Sequence, residues 1–217
     1  MLFSLKLIFK EFGEWLIVVK RYYYHPRFLV IEVMLFILYF FSNPYRLCRR
    51  YFNQKAQEGQ IYGETPLTTY VQVIQELSLS ASSKVVDLGC GRGRLVFWGS
   101  CFTSAQMVGI DCVPAFITRA KWISRLVKLS RIEWQCTDIL EADLTQATHV
   151  YLFGTTLEDS TITDWLIKLR EFPPGVQVIT VSYSLLEYEG AADFELIKEK
   201  EMDFAWGKSS VFFHQRK

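Results

Sequence analysis

Apolar residues crowd the first forty positions of the chain; beyond residue 60 they thin into short runs that alternate with amphipathic stretches. Positions 84–88, 106–110, 132–135, 149–153 and 176–182 are brief and mostly apolar, the pattern of strands buried on both faces. Between them apolar residues recur at helical spacing. Val71, Ile74 and Leu77 mark a helix over 67–79, and 94–102 reads as a short one. Pro114 opens another with Phe116, Ile117, Ala120, Ile123 and Val127 inward, and Ile162, Trp165, Leu166 and Leu169 mark the next. Pro173-Pro174-Gly175 interrupts the chain before the fifth strand. The end changes character: 194–200 and 206–214 are two strands joined by a turn, with no helix between them. Strands alternating with helices and closing on a hairpin predict an open α/β sheet with an antiparallel edge.

The N-terminal pattern is different. Leu2, Leu5, Ile8, Phe9, Phe12, Trp15, Leu16 and Val19 share one helical face, opposite Lys6, Lys10 and Glu14, which predicts an amphipathic helix lying in a membrane surface. Residues 28–41, FLVIEVMLFILYFF, are apolar except for Glu32 and stand between Pro26 and Pro44. A helix over 27–43 is about 25 Å long at ~1.5 Å per residue. That is a short span for a hydrocarbon core of about 30 Å. Tyr22, Tyr23, Tyr24 and Tyr45 flank it, with Lys20, Arg21 and Arg27 before it and Arg46, Arg49 and Arg50 after, an interfacial belt pattern. Glu32 is expected to snorkel or to pair with Arg27. A cleavable signal peptide fits poorly, since no small-x-small site precedes the long aromatic segment. The alternative to membrane attachment is a pair of core helices capping the following domain. These features divide the chain into membrane-associated helices (1–45), a polar linker (46–60) and a folded domain (61–217).

Chemistry is concentrated in Val85–Arg94, VVDLGCGRGR. An apolar run, the acid Asp87 and then Gly89, Gly91 and Gly93 describe a strand, a tight turn and a helix start, where glycine lets backbone turn sharply and lie against a ligand. Asp111 ends the next apolar run, 24 positions after Asp87, near the ~20-residue spacing at which an acid takes ribose hydroxyls in βαβ nucleotide sites. A dinucleotide G-x-G-x-x-G fails, because position 94 is Arg94. A phosphate-binding loop at Gly207-Lys208-Ser209 fails as well, because its partner glycine position holds Met202. Asp87 is ill placed beside a pyrophosphate and well placed beside the α-ammonium of a methionine moiety.

Composition adds constraints. The net charge of +1 over 217 residues argues against a phosphate-backbone partner, so no nucleic acid is expected. The five cysteines include no C-x-x-C pair, so neither a metal site nor a disulfide framework is indicated. Asn43 and Asn53, the only asparagines, both precede the glycine motif, and the segment after the fourth strand reads YLFGTTLED. An N-P-P-Y-type site for amino groups of bases or glutamine is therefore absent.

Over roughly 60–214 the chain resembles class I methyltransferases that use S-adenosylmethionine. The resemblance implies a seven-stranded Rossmann-like sheet with the cofactor above the carboxyl ends of the early strands, held by Asp87, Gly89, Gly91 and Asp111, with Asp138 at the adenine amine. The alternative for Asp138 is a surface helix cap. Ile61-Tyr62-Gly63-Glu64-Thr65-Pro66 resembles the loop that Dot1-like histone lysine methyltransferases close over the methionine end of the cofactor. That match implies cofactor contacts from Tyr62 and Thr65 and catalytic roles for Glu64 and Tyr62; Thr65 also reads as an N-cap, with Pro66 at N1. The apolar N-terminus, Thr65-Pro66, D-L-G-x-G-x-G-R and Phe153-Gly154 resemble membrane-anchored lysine methyltransferases of mitochondria and their prokaryotic relatives. Arg92 departs from that group, which has an acid there. Glu64, Tyr151, Tyr183 and Trp206 are candidates to line the acceptor channel.

The expected function is a membrane-tethered protein lysine N-methyltransferase. Methylation of a lipid or small amphiphile, and a non-catalytic S-adenosylmethionine-binding scaffold, are the alternatives. Because the cofactor is intracellular, the catalytic domain is expected to face the cytoplasm. A chain begun near Lys55 is expected to be soluble and to bind the cofactor.

Overall fold

The computed structural model describes residues 2–54, 62–154 and 159–217. Three helices come first: α1 (Leu2–Tyr22), α2 (Pro26–Phe40) and α3 (Pro44–Gln54). The domain follows as α4 (Leu67–Gln75), β1 (Lys84–Leu88), α5 (Arg94–Phe102), β2 (Gln106–Asp111), α6 (Pro114–Leu126), β3 (Ile132–Cys136), β4 (His149–Leu152), α7 (Asp159–Leu169), β5 (Gln177–Val181), β6 (Phe194–Phe204) and β7 (Gly207–Arg216). The seven strands form one sheet in the order β3-β2-β1-β4-β5-β7-β6. β1 to β5 pair in parallel, and β7 runs antiparallel to both β5 and β6. The expected seven-stranded sheet with an antiparallel edge is present. Strand order reverses at β1, with β2 on one side and β4 on the other, which leaves a crevice above their carboxyl ends.

Alternate residues of each inner strand face opposite cores. Val85, Met107, Tyr151 and Ile179 pack beneath α4, α5 and α6, while Val86, Val108, Val150 and Val178 pack with α7. Burial on both faces is why these strands read as continuous apolar runs.

The N-terminal helices pack into the first of these cores. Phe28, Ile31, Glu32, Leu35 and Tyr39 lie on one face of α2 and are buried against α5 and α6. His25 caps α2, its Nδ1 accepting from Phe28 N at 3.3 Å, with Pro26 in the first turn. Glu14 of α1 accepts from Thr68 N at 2.9 Å and also from the Thr68 hydroxyl, so it satisfies an N–H that the start of α4 would leave open. Lys10 donates to the carbonyl of Phe204 at the β6–β7 turn.

Three expectations change. Glu32 neither snorkels nor meets Arg27; it lies on the buried face of α2 and is ion-paired with Arg94 of α5. Positions 46–54, expected to be polar linker, fall in α3, because Leu47, Cys48, Tyr51 and Phe52 pack toward the core while Arg46, Arg49 and Arg50 stay on the other face; positions 55–60 of that linker lie outside the described residues, as does Ile61. And helices that share a core are not a detachable tether.

Among the described residues no single helix is long and apolar enough to cross a membrane; α2 and α3 qualify together by length and composition, but they bend by 57° at their junction. Ile31→Ala should cost about 2–5 kcal/mol in urea denaturation as a buried large-to-small change. Val33→Ala, on the exposed face, should stay within about 0.5 kcal/mol. A chain lacking residues 1–54 should lose its cooperative thermal transition.

Candidate cofactor and active site

The turn from β1 into α5 is built from Gly89, Gly91 and Gly93, at φ of 74°, 54° and 75°. A side chain would be strained at each position. Space is also short: a Cβ on Gly91 would come within 2.8 Å of the Tyr62 ring, and one on Gly93 would run into the Trp134 ring. The turn is fastened to the end of β2. Gly89 N and Cys90 N both donate to Ile110 O at 2.9 Å, and Gly91 N donates to Asp111 Oδ2 at 2.9 Å. Asp111 Oδ1 accepts from Val113 N at 2.8 Å. Asp111 thus links the glycine turn to the start of α6, and each of its oxygens keeps a further lone pair for a hydroxyl.

Asp87 is 3% exposed, and its Oδ2 has no hydrogen-bond partner. Burial, with the Asp111 carboxylate nearby, pushes it up to about 7. Asp111 is pushed up to about 6 by burial, against the pull of the Val113 and Gly91 N–H groups. A buried carboxylate without a partner is costly. Here it faces a cavity lined by Gly63, Glu64, Thr65, Asp87, Gly89, Cys90, Arg94, Leu95, Tyr151 and Phe153. An ammonium group entering that cavity would relieve the cost, so the residues present fit the methionine half of S-adenosylmethionine.

The loop over 62–65 closes one wall. Glu64 receives two hydrogen bonds from Arg92, Nε to Oε1 and Nη2 to Oε2, each at 2.5 Å. The Tyr62 hydroxyl also donates to Glu64. Burial alone would raise Glu64, but the Arg92 guanidinium and Tyr62 hold its carboxyl below the ordinary range. A carboxylate so engaged is a poor proton acceptor and a good latch. Burial, then the Glu64 charge, holds Tyr62 well above its ordinary value.

Thr65 does not cap α4. The N-cap is Pro66 and makes no side-chain bond, whereas Thr65 Oγ1 lies 2.6 Å from Tyr151 Oη in a buried hydrogen bond. Tyr151 reaches it from the end of β4, and Glu14 supplies the cap instead.

The structure therefore gathers Glu64, Thr65, Asp87 and Gly89 on one cavity, with Tyr62, Gly91 and Asp111 bonded to its walls or packed on them. Asp138 stands apart. It is exposed and caps the short 3₁₀ turn Ile139–Glu141, accepting from Leu140 N at 3.0 Å. Tyr151 lines the cavity, and Trp206 lies beside it, 5.7 Å from the ring of Phe153. Tyr183 belongs to the opposite core and meets Tyr188. The residues not singled out as ligands are Cys90, Leu95, Phe153 and above all Arg94, whose only signal was its place ending the glycine motif. Among the described residues no group of three or more His, Cys, Asp or Glu side chains is placed to hold a metal ion.

Residues 79–173 match the family described as "Methyltransferase domain". No curated protein matches the chain significantly. Solved structures share its fold. An RNA methyltransferase from Salinibacter ruber in complex with S-adenosyl-L-homocysteine superposes with a TM-score of 0.59 at 21% identity, over 71% of this chain and 94% of that one. Magnesium protoporphyrin IX methyltransferase from Synechocystis PCC 6803 with bound S-adenosylmethionine gives 0.57 at 14%, over 82% and 94%. Geranyl diphosphate C-methyltransferase from Streptomyces coelicolor A3(2) gives 0.58 at 11%, over 70% and 78%. The chain shares the fold of these methyltransferases, and its matched segment holds the glycine turn, Asp87 and Asp111. The protein is an S-adenosylmethionine-dependent methyltransferase.

Asp87 carries a pH signature. Its folded-state value lies above its unfolded value, so its contribution to stability is complete below about pH 4 and is lost as pH rises through about 7. Asp87→Asn should raise the Tm of the cofactor-free protein at pH 8, by a margin that shrinks toward pH 5, and should weaken S-adenosylhomocysteine binding in calorimetry. A lower Tm at pH 8 would remove Asp87 as a strained cofactor ligand.

Proposed function

We propose that this enzyme is a membrane-seated protein lysine N-methyltransferase. The observation that carries the acceptor reading is the aromatic rim of the cavity. Phe153 lines it, Trp206 stands 5.7 Å away, half exposed at the β6–β7 turn, and Phe204 stacks on Trp206 at 5.0 Å. An amine nucleophile must be neutral to attack, and an apolar passage disfavours its ammonium form. Aromatic faces also hold an alkylated ammonium product by cation–π attraction.

S-adenosylmethionine, when bound, supplies a methyl group on a sulfonium, ready for in-line displacement. The chain's own residues bind, orient and exclude water. Asp87 faces the ammonium, Asp111 the ribose and, on family resemblance, Asp138 the adenine. Tyr62 and Glu64 hold the 62–65 loop against Arg92 as a lid over the methionine end.

The membrane reading rests on the outer face of the N-terminal helices. Phe36 and Phe40 are each 66% exposed and Phe41 87%, beside the exposed Val30, Val33 and Ile37. Exposed apolar side chains clustered in this way mark an interaction surface. Arg46, Arg49 and Arg50 line an open cleft on the next helix. Apolar side chains followed by arginines suit a helix lying in an anionic interface. The intracellular cofactor then puts the catalytic domain on the cytoplasmic face. The same patch favours a second acceptor, a lipid or amphiphile drawn from the bilayer.

Membranes incubated with tritiated S-adenosylmethionine and the enzyme, then separated into protein, lipid and RNA, should carry the label in protein as methyllysine. Label in lipid would select the second acceptor, label in RNA would defeat both, and no label would mean a binding scaffold. The protein should also sediment with vesicles containing phosphatidylserine. Replacing Phe36, Phe40 and Phe41 with serine should abolish this, and replacing the three arginines with glutamine should weaken it in low salt. Unchanged sedimentation of the serine variant would end the membrane reading.

A further inference from the structure

We infer that Arg94 takes the carboxylate of the cofactor's methionine half and that Glu32, on the N-terminal helix α2, positions it. The inference rests on the S-adenosylmethionine site described above.

An amino-acid head group presents an ammonium and a carboxylate on one carbon. The cavity presents their complements, the unpartnered carboxylate oxygen of Asp87 and the side chain of Arg94. Arg94 is the first residue of α5, a nine-residue helix whose open N–H groups add to the attraction for an anion. Its guanidinium gives only one edge to the protein: Nε donates to Glu32 Oε1 at 2.9 Å and Nη2 to Glu32 Oε2 at 2.6 Å. The N–H groups of Nη1 and the second N–H of Nη2 make no hydrogen bond among the described residues. That free edge is a planar fork matched to a carboxylate. The neighbouring Arg92 does not line the cavity; it is held by Glu64 and lies over the Tyr39 ring at 5.5 Å.

Glu32 explains itself in the same way. An acid on the buried face of an otherwise apolar helix is expensive unless fully paired. Arg94 meets it with two hydrogen bonds, and Tyr23 Oη donates a third at 3.1 Å. Asp87 lines the same cavity as Arg94, and its Oδ2 has no hydrogen-bond partner. Glu32 holds one edge of the guanidinium and leaves the other edge open. Glu32 therefore fixes the orientation of Arg94, and α2 becomes part of the cofactor site.

The test is calorimetry on the full chain with two ligands: S-adenosylhomocysteine, which has the amino-acid head, and 5′-methylthioadenosine, which lacks it. Arg94→Ala should weaken S-adenosylhomocysteine roughly 10- to 100-fold, the loss of a charged hydrogen-bonded pair. It should leave 5′-methylthioadenosine within about twofold. Arg94→Lys should fall between, and Glu32→Gln should weaken S-adenosylhomocysteine alone. Equal loss of both ligands in Arg94→Ala would reduce Arg94 to a support of the turn and overturn the inference, as would unchanged S-adenosylhomocysteine binding. If circular dichroism shows Arg94→Ala unfolded, Glu32→Gln decides: an effect confined to S-adenosylhomocysteine supports the inference, and equal loss, no loss or tighter binding overturns it. Wild-type protein binding neither ligand would instead defeat the cofactor site itself.

Discussion

The backbone between β1 and α5 must pass through three left-handed glycines, which offer no side chains with which to hold it. Its neighbours hold it instead. Ile110 O and Asp111 tie its N–H groups to β2, and Trp134 covers Gly93. The arginines on either side of Gly93 carry the same device further, each gripped by a carboxylate from an earlier part of the chain: Arg92 by Glu64 of the 62–65 loop and Arg94 by Glu32 of α2. The site is thus assembled around a glycine-rich segment by groups that are distant in sequence.

That dependence gives the N-terminal helices two roles. Their inner face is ordinary core: Val18, Phe28, Ile31 and Leu35 are buried, Glu14 closes the start of α4, and Lys10 reaches the β6–β7 turn. The outer face of α2 is apolar as well, which core packing does not require. A helix apolar all round has two apolar surroundings to satisfy. The enzyme's own core is one; the proposed bilayer surface is the other. Glu32, on the inner face, joins α2 to the cofactor turn.

The order and type of elements after residue 60 were legible because each inner strand is buried on both faces and each helix on one, and those periods are written locally. The glycine turn with Asp87 and Asp111 was legible for a similar reason, as a short spacing that only a strand, a turn and a second strand can realise. The rest depended on pairs with no local signature. Thr65 resembles a helix cap until Tyr151, 86 residues away, takes its hydroxyl. Residues 46–54 look like linker until the face bearing Leu47 and Cys48 finds the core. Arg92 resembles a departure from a family pattern until Glu64 meets it.

Glu32 shows the division most clearly. By itself the sequence determined that this acid lies in an apolar helix, that such a helix needs an apolar environment, and that a nucleotide-type turn follows at Gly89. Only the tertiary structure decided that α2 would lie across α5 with Glu32 facing inward, onto Arg94, rather than outward. The physical reason is that hydrophobicity specifies burial without direction. An ion pair specifies direction, but it exists only once the two segments have been brought together.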